Sequence, residues 1–319
     1  MKLFIQIPCF NEQDNVGRTI ASIPRHLPGI DEVCIVVIDD GSNDDTVRLA
    51  RENGADKVIR LARHHGLAEA FSAGIAYAIT HDADIVVNTD ADLQYPSERI
   101  QALIAPLCRG EADIAVGNRL DARPAPFPWW KMWLERFGSA TVRFFSNTHV
   151  RDAASGFRAF NREAMELMYI HSSFSYTIES LLLAGMKRLR IANVPVTINT
   201  TARSSRLYNS VVGYVSRMAA IILRSFLMYH PLTFFSSVGA VFLAGAAFLG
   251  LRYLWFLYTG DSGGHVQSLI LLAILAFMGF QCIVVGLLGD VIAANRRLME
   301  DMRVSLREHA GRLPVQHDR

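Results

Sequence analysis

Through the first 120 residues, short apolar and β-branched runs alternate with stretches whose apolar positions recur at helical spacing. Leu3–Ile7, Val33–Ile38, Lys57–Leu61, Ile85–Asn88 and Ile114–Gly117 read as strands. Helices are predicted over Val16–His26 with Asn15 as cap, from Asp44 or Asp45 through Glu52, over Leu67–Ile79 and over Ser97–Leu107. Buried strands separated by helices predict an α/β fold with a mostly parallel sheet covered on both faces. Ligands of such sheets bind beyond the carboxyl ends of the strands. Polar motifs stand at three of those ends: Pro8 to Glu12, Asp39-Asp40 and Asp90-Ala91-Asp92.

The second half has a different pattern. Pro124, Pro126 and Pro128, with Trp129, Trp130 and Trp133, mark a loop entering an amphipathic helix, and the aromatic cluster beside Lys131 suits a membrane interface. Asn209–Met228 has helical period, with Val211, Val215, Met218, Ile222 and Phe226 on one face and Arg217 and Arg224 on another. That pairing of stripes fits an interfacial helix; a core helix of the globular domain is the other reading. Pro231–Leu251 and Val266–Gly289 hold no charged residue, and each is long enough to cross a bilayer. Arg252 lies close enough to the end of the first span to snorkel. The connector Thr259–His265 lacks Lys and Arg. Arg203, Arg206, Arg217 and Arg224 precede the spans, and Arg296, Arg297, Arg303 and Arg307 follow them. By the positive-inside rule both flanks are cytoplasmic and the connector lies outside. The expected division is a globular α/β domain over 1–208, an interfacial helix over 209–230, a transmembrane hairpin over 231–292 and a cytoplasmic tail helix over 293–319.

Composition adds exclusions. The 319 residues carry a net charge of only +2, which gives no electrostatic case for nucleic-acid binding. Cys9, Cys34, Cys108 and Cys282 form no C-x-x-C pair and read as reduced thiols, and the ten histidines form no metal-binding set. The apolar run after Met1-Lys2 ends at Pro8, too short for a signal peptide, so the globular part is expected in the cytoplasm and the whole chain at the inner membrane. No G-x-G-x-x-G follows the first strand and no G-x-x-x-x-G-K-[ST] occurs, which disfavours dinucleotide oxidoreductases and P-loop NTPases.

Asp90 and Asp92 stand one residue apart at a strand end. Oxygen donors of that kind suit Mg²⁺ or Mn²⁺, and such an ion can neutralise a departing diphosphate. An acidic surface turn has the same local sequence. The second acidic motif at Asp39-Asp40 favours the functional reading.

Taken in order, Pro8-Cys9-Phe10-Asn11-Glu12, Ile38-Asp39-Asp40-Gly41-Ser42, Asp90-Ala91-Asp92-Leu93-Gln94-Tyr95-Pro96, Gly117-Asn118-Arg119 and Ser155-Gly156-Phe157-Arg158 resemble a family-2 glycosyltransferase. Within that family the chain resembles the dolichol-phosphate mannosyltransferase and polyprenyl-phosphate glycosyltransferase branch. The ordered motifs cover about residues 1 to 210, and the two apolar spans match bacterial members in kind.

The resemblance implies a GT-A fold, a UDP- or GDP-linked sugar donor, a polyprenyl phosphate acceptor and a divalent cation. It implies that Pro8, Phe10 and Glu12 line the base and ribose, with Phe10 where the family usually has Tyr. Ile38 and Asp40 would hold the base, and Asp90 and Ala91 would complete the nucleotide-sugar site. Asp90, Asp92 and Gln94 would bind the metal. Arg119, Lys131, Arg158, Arg203 and Arg206 would serve the acceptor phosphate, and Asp92, Asp152 and Arg119 would lie at the reacting centre. Glu179 matches an acid in related enzymes or is a helix-surface charge. His64-His65 reads as a loop after the third strand, with a nucleotide contact as the other reading. The absence of Q-x-x-R-W argues against a polysaccharide polymerase. A different lipid acceptor and a non-catalytic membrane scaffold are the alternative functions, and a homo-oligomer stays open.

Overall fold

The structure, a computed structural model, describes residues 1–121, 129–146, 148–168, 170, 176–199, 220, 223, 227, 231–259 and 266–312. The chain divides into two compact units, Met1–Tyr214 and Val215–Arg319.

The first unit is built on a seven-stranded sheet. Its elements are β1 (Lys2–Cys9), α1 (Val16–Ser22), β2 (Glu32–Asp39), α2 (Thr46–Glu52), β3 (Lys57–Arg60), α3 (Leu67–Thr80), β4 (Ile85–Asn88), a 3₁₀ turn (Ser97–Arg99) and α4 (Ile100–Cys108). There follow β5 (Ile114–Asn118), α5 (Trp129–Ser146), β6 (Arg158–Asn161), α6 (Arg162–Leu167), α7 (Tyr176–Met186) and β7 (Ile191–Pro195). The strand order is β3-β2-β1-β4-β6-β5-β7. All pairings are parallel except those of β6, which runs antiparallel to β4 and to β5.

The apolar runs become central strands because both of their faces are covered. Leu3, Ile5, Ile7, Ile35, Val37, Ile85 and Val87 are fully buried in one core with α1 and α4 residues such as Val16, Ile20, Leu103 and Ile104. The other face packs on α3, whose approach is closest at Gly74: a Cβ there would stand 2.2 Å from Gln6 Oε1. At Gly185 in α7 an added Cβ would meet the Ser146 carbonyl oxygen, so α5 and α7 also cross at a glycine.

Two local expectations change. Asn15 precedes α1 but does not cap it; its amide donates to Glu12 Oε2 at 3.3 Å. The helix after β2 begins at Thr46, and Asp44 Oδ1 accepts from the Thr46 amide and hydroxyl, the latter at 2.5 Å.

The second unit contains α8 (Pro231–Tyr258) and α9 (Val266–Arg312). Both are long and apolar enough to cross a membrane, α8 over its whole length and α9 over Val266–Arg296. They pack as an antiparallel pair on small residues. Gly289 lies against Pro231, Gly286 against Leu232, Gly279 against Gly239, and Gly250 against Leu272. Their outer faces expose Phe248, Leu251, Phe277, Leu288 and Ile292, which is the surface of a helix apolar all round. Arg252 sits with its guanidinium 5.4 Å from the Phe256 ring. The separate tail helix expected from residue 293 is instead the continuation of α9. No Gly or Pro interrupts the run from Asp290 to Ala310, so nothing breaks the helix there. Most of the expected interfacial helix lies outside the described residues; Ala220, Leu223 and Leu227 are helical.

Candidate active site

The strand register sets the site. Cys9 pairs with Asp39, so β1 and β2 end level, whereas β4 stops at Asn88 opposite Gln6. The Asp40 N–H donates to Cys9 O at 2.9 Å and the Thr89 N–H to Gln6 O at 3.1 Å, so both acidic loops leave the same edge of the sheet.

At the β1–β2 end, Pro8 and Ile38 are buried, and the Ile38 side chain points under α3, close to Gly74. The Ile38 side chain is thus a core group, and its backbone stands at the strand end. Asn11 adopts the left-handed region (φ 53°), which turns the chain after Phe10. Its amide donates to Ser42 Oγ at 2.9 Å and its side-chain oxygen accepts from the Asn43 N–H at 2.9 Å, tying the two loops together. The Glu12 N–H donates to Thr46 Oγ1 at 2.8 Å. Asp40 is buried and accepts the N–H groups of His65 and Gly66, each at 2.8 Å. His64 Nδ1 lies 2.8 Å from Asp40 Oδ2, and its ring stacks on Phe10 with centroids 4.0 Å apart. His64 lies in the loop after β3, as expected, and its side chain packs there on Phe10 and Asp40. Gly41 permits this arrangement: at φ 77° a Cβ would stand 2.8 Å from the Arg63 carbonyl carbon.

At the β4 end, Ala91 is buried and its carbonyl accepts from Thr19 Oγ1 at 2.8 Å, which pins the loop to α1. Asp92 is exposed, and its Oδ1 accepts the Gln94 N–H at 3.0 Å. Asp90 is half-buried against Gly156, where a Cβ would come within 3.0 Å of its Oδ2. Burial, then the negative charge of Asp92, push the Asp90 carboxyl up to about 7, while the Arg119 charge pulls it back. Behind Asp90 a buried polar chain fixes Gly156. Gln6 Nε2 donates to Asn88 Oδ1 at 2.9 Å, Asn88 Nδ2 donates to Gly156 O at 3.0 Å and to Tyr176 Oη at 2.7 Å, and the Tyr176 hydroxyl donates to Gly156 O at 2.9 Å. The Gly156 N–H in turn donates to Tyr95 Oη at 3.2 Å.

Arg119, at the end of β5, is 7 % exposed and grips Asp152, which is 0 % exposed. Nε donates to Oδ2 at 2.7 Å, Nη2 to Oδ1 at 2.9 Å, and the Arg119 backbone N–H to Oδ2 at 3.1 Å. Asp152 was expected at the reacting centre. Both of its oxygens accept from Arg119, so it holds that side chain in place.

Arg158 corrects another expectation. It is fully buried in β6, and its guanidinium donates to Ser155 O, Thr177 O, Ala153 O and Ser180 Oγ at 2.5–2.8 Å. It braces the loop carrying Gly156, and its guanidinium is fully buried among these partners. Glu179 is buried in α7, which removes its reading as a surface charge. Lys131 belongs to α5, its side chain outside the described residues, as are Arg203 and Arg206. Asn199, four residues before Arg203, is hydrogen-bonded to the acidic loop: its N–H donates to Gln94 O at 2.9 Å and its Nδ2 to Leu93 O at 3.0 Å.

Among the described residues no cluster of three or more His, Cys, Asp or Glu side chains gathers around a metal position. The donor set nonetheless fits a divalent ion. Burial, with the Asp92 charge added to it, raises the Asp90 carboxyl to about 7, and a cation shared with substrate phosphates would offset both effects.

A mostly parallel sheet with acidic loops at two strand ends is the arrangement of a GT-A fold. Residues 4–168 match glycosyl transferase family 2, and the chain belongs to that family. It is 31 % identical over 211 residues to the dolichol-phosphate mannosyltransferase of Pyrococcus furiosus, covering 64 % of this chain and 58 % of that protein. It is 27 % identical over 319 residues to the undecaprenyl-phosphate 4-deoxy-4-formamido-L-arabinose transferase of Pseudomonas aeruginosa, covering 94 % of this chain and 86 % of that protein. Among solved structures it is similar to glucosyl-3-phosphoglycerate synthase of Mycobacterium tuberculosis in complex with Mn²⁺, UDP and phosphoglyceric acid. The TM-score is 0.54 at 22 % identity, over 71 % of this chain and 77 % of that one, which shows the fold.

Proposed function

We propose that this enzyme transfers a sugar from a nucleotide-sugar to a polyprenyl phosphate at the cytoplasmic face of the membrane, with inversion at the anomeric carbon. The observation that carries the reading is the placement of the Asp90/Asp92 pair beside the Arg119 charge, in a chain that continues into two helices of membrane-spanning length. The relatives named for dolichol-phosphate and undecaprenyl-phosphate transfer support the acceptor class.

The lipid phosphate oxygen attacks the anomeric carbon, the bond from that carbon to the diphosphate oxygen breaks, and the nucleoside diphosphate leaves. A phosphate monoester has its second pKa near 6, so the nucleophile is already an anion at neutral pH and needs no protein base. What it needs is orientation and masking of negative charge. Phe10, Glu12 and Asp40 hold the nucleoside, with Pro8, Ile38 and Ala91 contributing backbone and shape. Asp92, with Asp90 and Gln94, would hold Mg²⁺ or Mn²⁺, which when bound neutralises the departing diphosphate. Arg119, locked by Asp152, supplies fixed positive charge near Asp90. Arg203 and Arg206 follow the segment docked on the acidic loop and are typed for the acceptor phosphate, as is Lys131. The two long apolar helices are of a length to cross the membrane.

The test is transfer of label. Purified full-length protein in detergent is given undecaprenyl phosphate and each of a panel of radiolabelled UDP- and GDP-sugars. One donor is expected to yield a labelled lipid. Label released only as free sugar, or no turnover with any donor, would contradict the proposal.

A further inference from the structure

His64 does at the nucleoside end what a nucleobase would do there. Its flat ring stacks on Phe10 with centroids 4.0 Å apart and planes 27° apart. Its Nδ1 faces Asp40 Oδ2 at 2.8 Å, and against a carboxylate that nitrogen is the one carrying the proton. An aromatic ring presenting an N–H to a buried carboxylate is the chemistry of a base edge. Asp40 does not need His64 for its own satisfaction, since the His65 and Gly66 N–H groups already donate one bond to each of its oxygens. The His64 side chain is also 55 % exposed, so it can swing off Phe10 without unpacking the core.

We propose that His64 is an intramolecular stand-in for the nucleobase, and that donor binding displaces it from Phe10 and Asp40. The inference rests on the assignment of Phe10 and Asp40 to the nucleoside end of the site. A seat filled by its own side chain lowers apparent affinity by the fraction of time the seat is open; a seat open about one tenth of the time weakens binding about tenfold. Release of the nucleoside diphosphate after transfer is favoured by the same competition. The backbone of the segment Arg63–Gly66 is held by the close approach of Arg63 to Gly41 and by the His65 and Gly66 N–H bonds to Asp40, so the movement is a rotation of the His64 side chain alone.

The test is nucleotide affinity of the full-length protein by calorimetry with UDP and with GDP. His64→Ala is expected to bind the preferred nucleotide about three- to tenfold more tightly than wild type. His64→Phe, which keeps the stack and loses the N–H to Asp40, is expected to fall between them. Unchanged or weaker binding by His64→Ala overturns the inference and makes His64 a bystander or a ligand of the base. A second readout uses the wild-type protein: the His64 imidazole resonances are expected to move to free-side-chain positions on saturation with UDP or GDP, and resonances that stay in place contradict displacement. If neither nucleotide binds wild type or any variant, the donor reading itself fails.

Discussion

Arg119 and Asp152 meet as a two-pronged buried ion pair, with Nε–Oδ2 and Nη2–Oδ1 distances of 2.7 and 2.9 Å and the Arg119 backbone N–H on the same carboxylate. The pair fixes where a positive charge stands at the end of β5. Removing one partner leaves an uncompensated buried charge, which costs on the order of 3–5 kcal/mol. Asp152→Ala is therefore expected to lower stability by that amount in chemical denaturation. Asp152→Asn keeps the shape and one acceptor, and should slow turnover by about tenfold. Asp92→Asn, which alters a proposed ligand of the metal, should cost about a hundredfold or more. A larger loss for Asp152→Asn than for Asp92→Asn would return Asp152 to the chemistry.

Asp90 carries a proton with a pKa near 7, above the roughly 3.9 of an unfolded aspartate. Between those values the folded state binds more protons than the unfolded one, so stability falls as pH rises from about 4 to about 7. Thermal melting in chelator should thus show wild type losing stability across that range, and Asp90→Asn losing less. A divalent ion prefers the ionised carboxylate, so adding Mn²⁺ at pH 8 should raise the melting temperature of wild type and not of Asp90→Asn. Equal pH slopes for the two proteins, or no response of wild type to Mn²⁺ or Mg²⁺, would contradict this account of the acidic pair.

Much of this site was legible because its residues sit where strand periodicity stops. Asp39-Asp40 and Asp90-Ala91-Asp92 each follow a run of apolar residues, and that boundary marks a strand end. β6 was not legible: its four residues open with Arg158, and no apolar run announces a strand. The inward turn of Arg158 was hidden for the same reason, since a lone arginine reads as surface until the carbonyls of Ala153, Ser155 and Thr177 are seen around it. Asn88 offered a signal that went unused, an amide closing an otherwise apolar strand. His64 offered almost none, because its partners lie more than twenty residues away in sequence and come together only through the β1–β2–β3 register.

The α8–α9 pair makes a packing prediction. A Cβ at Gly279 would stand 2.7 Å from Leu243 Cγ and 3.0 Å from Gly239 O, whereas one at Gly245 would meet only Leu275 Cδ1 at 3.4 Å. Gly279→Val should cost about 1–3 kcal/mol of hairpin stability in detergent titration, and Gly245→Ala should be tolerated. The reverse ranking would mean that the two helices do not pack at these glycines.

The proposed topology rests on the arginines flanking the spans and the absence of Lys and Arg from the connector. On a background lacking native cysteines, Ser262→Cys should react with an impermeant thiol reagent in intact cells and Gln316→Cys should not. Labelling of Gln316→Cys alone would invert the assignment.

The most direct measurement of the central claim is the anomeric configuration of the lipid-linked product. A phosphate anion displacing a diphosphate in one step must invert the anomeric carbon, and no sugar becomes bonded to the protein. NMR of the purified sugar-phosphate lipid, made from a donor of known configuration, should show the opposite anomer. A product with the donor's configuration retained, or a glycosylated protein trapped during turnover, would contradict the account.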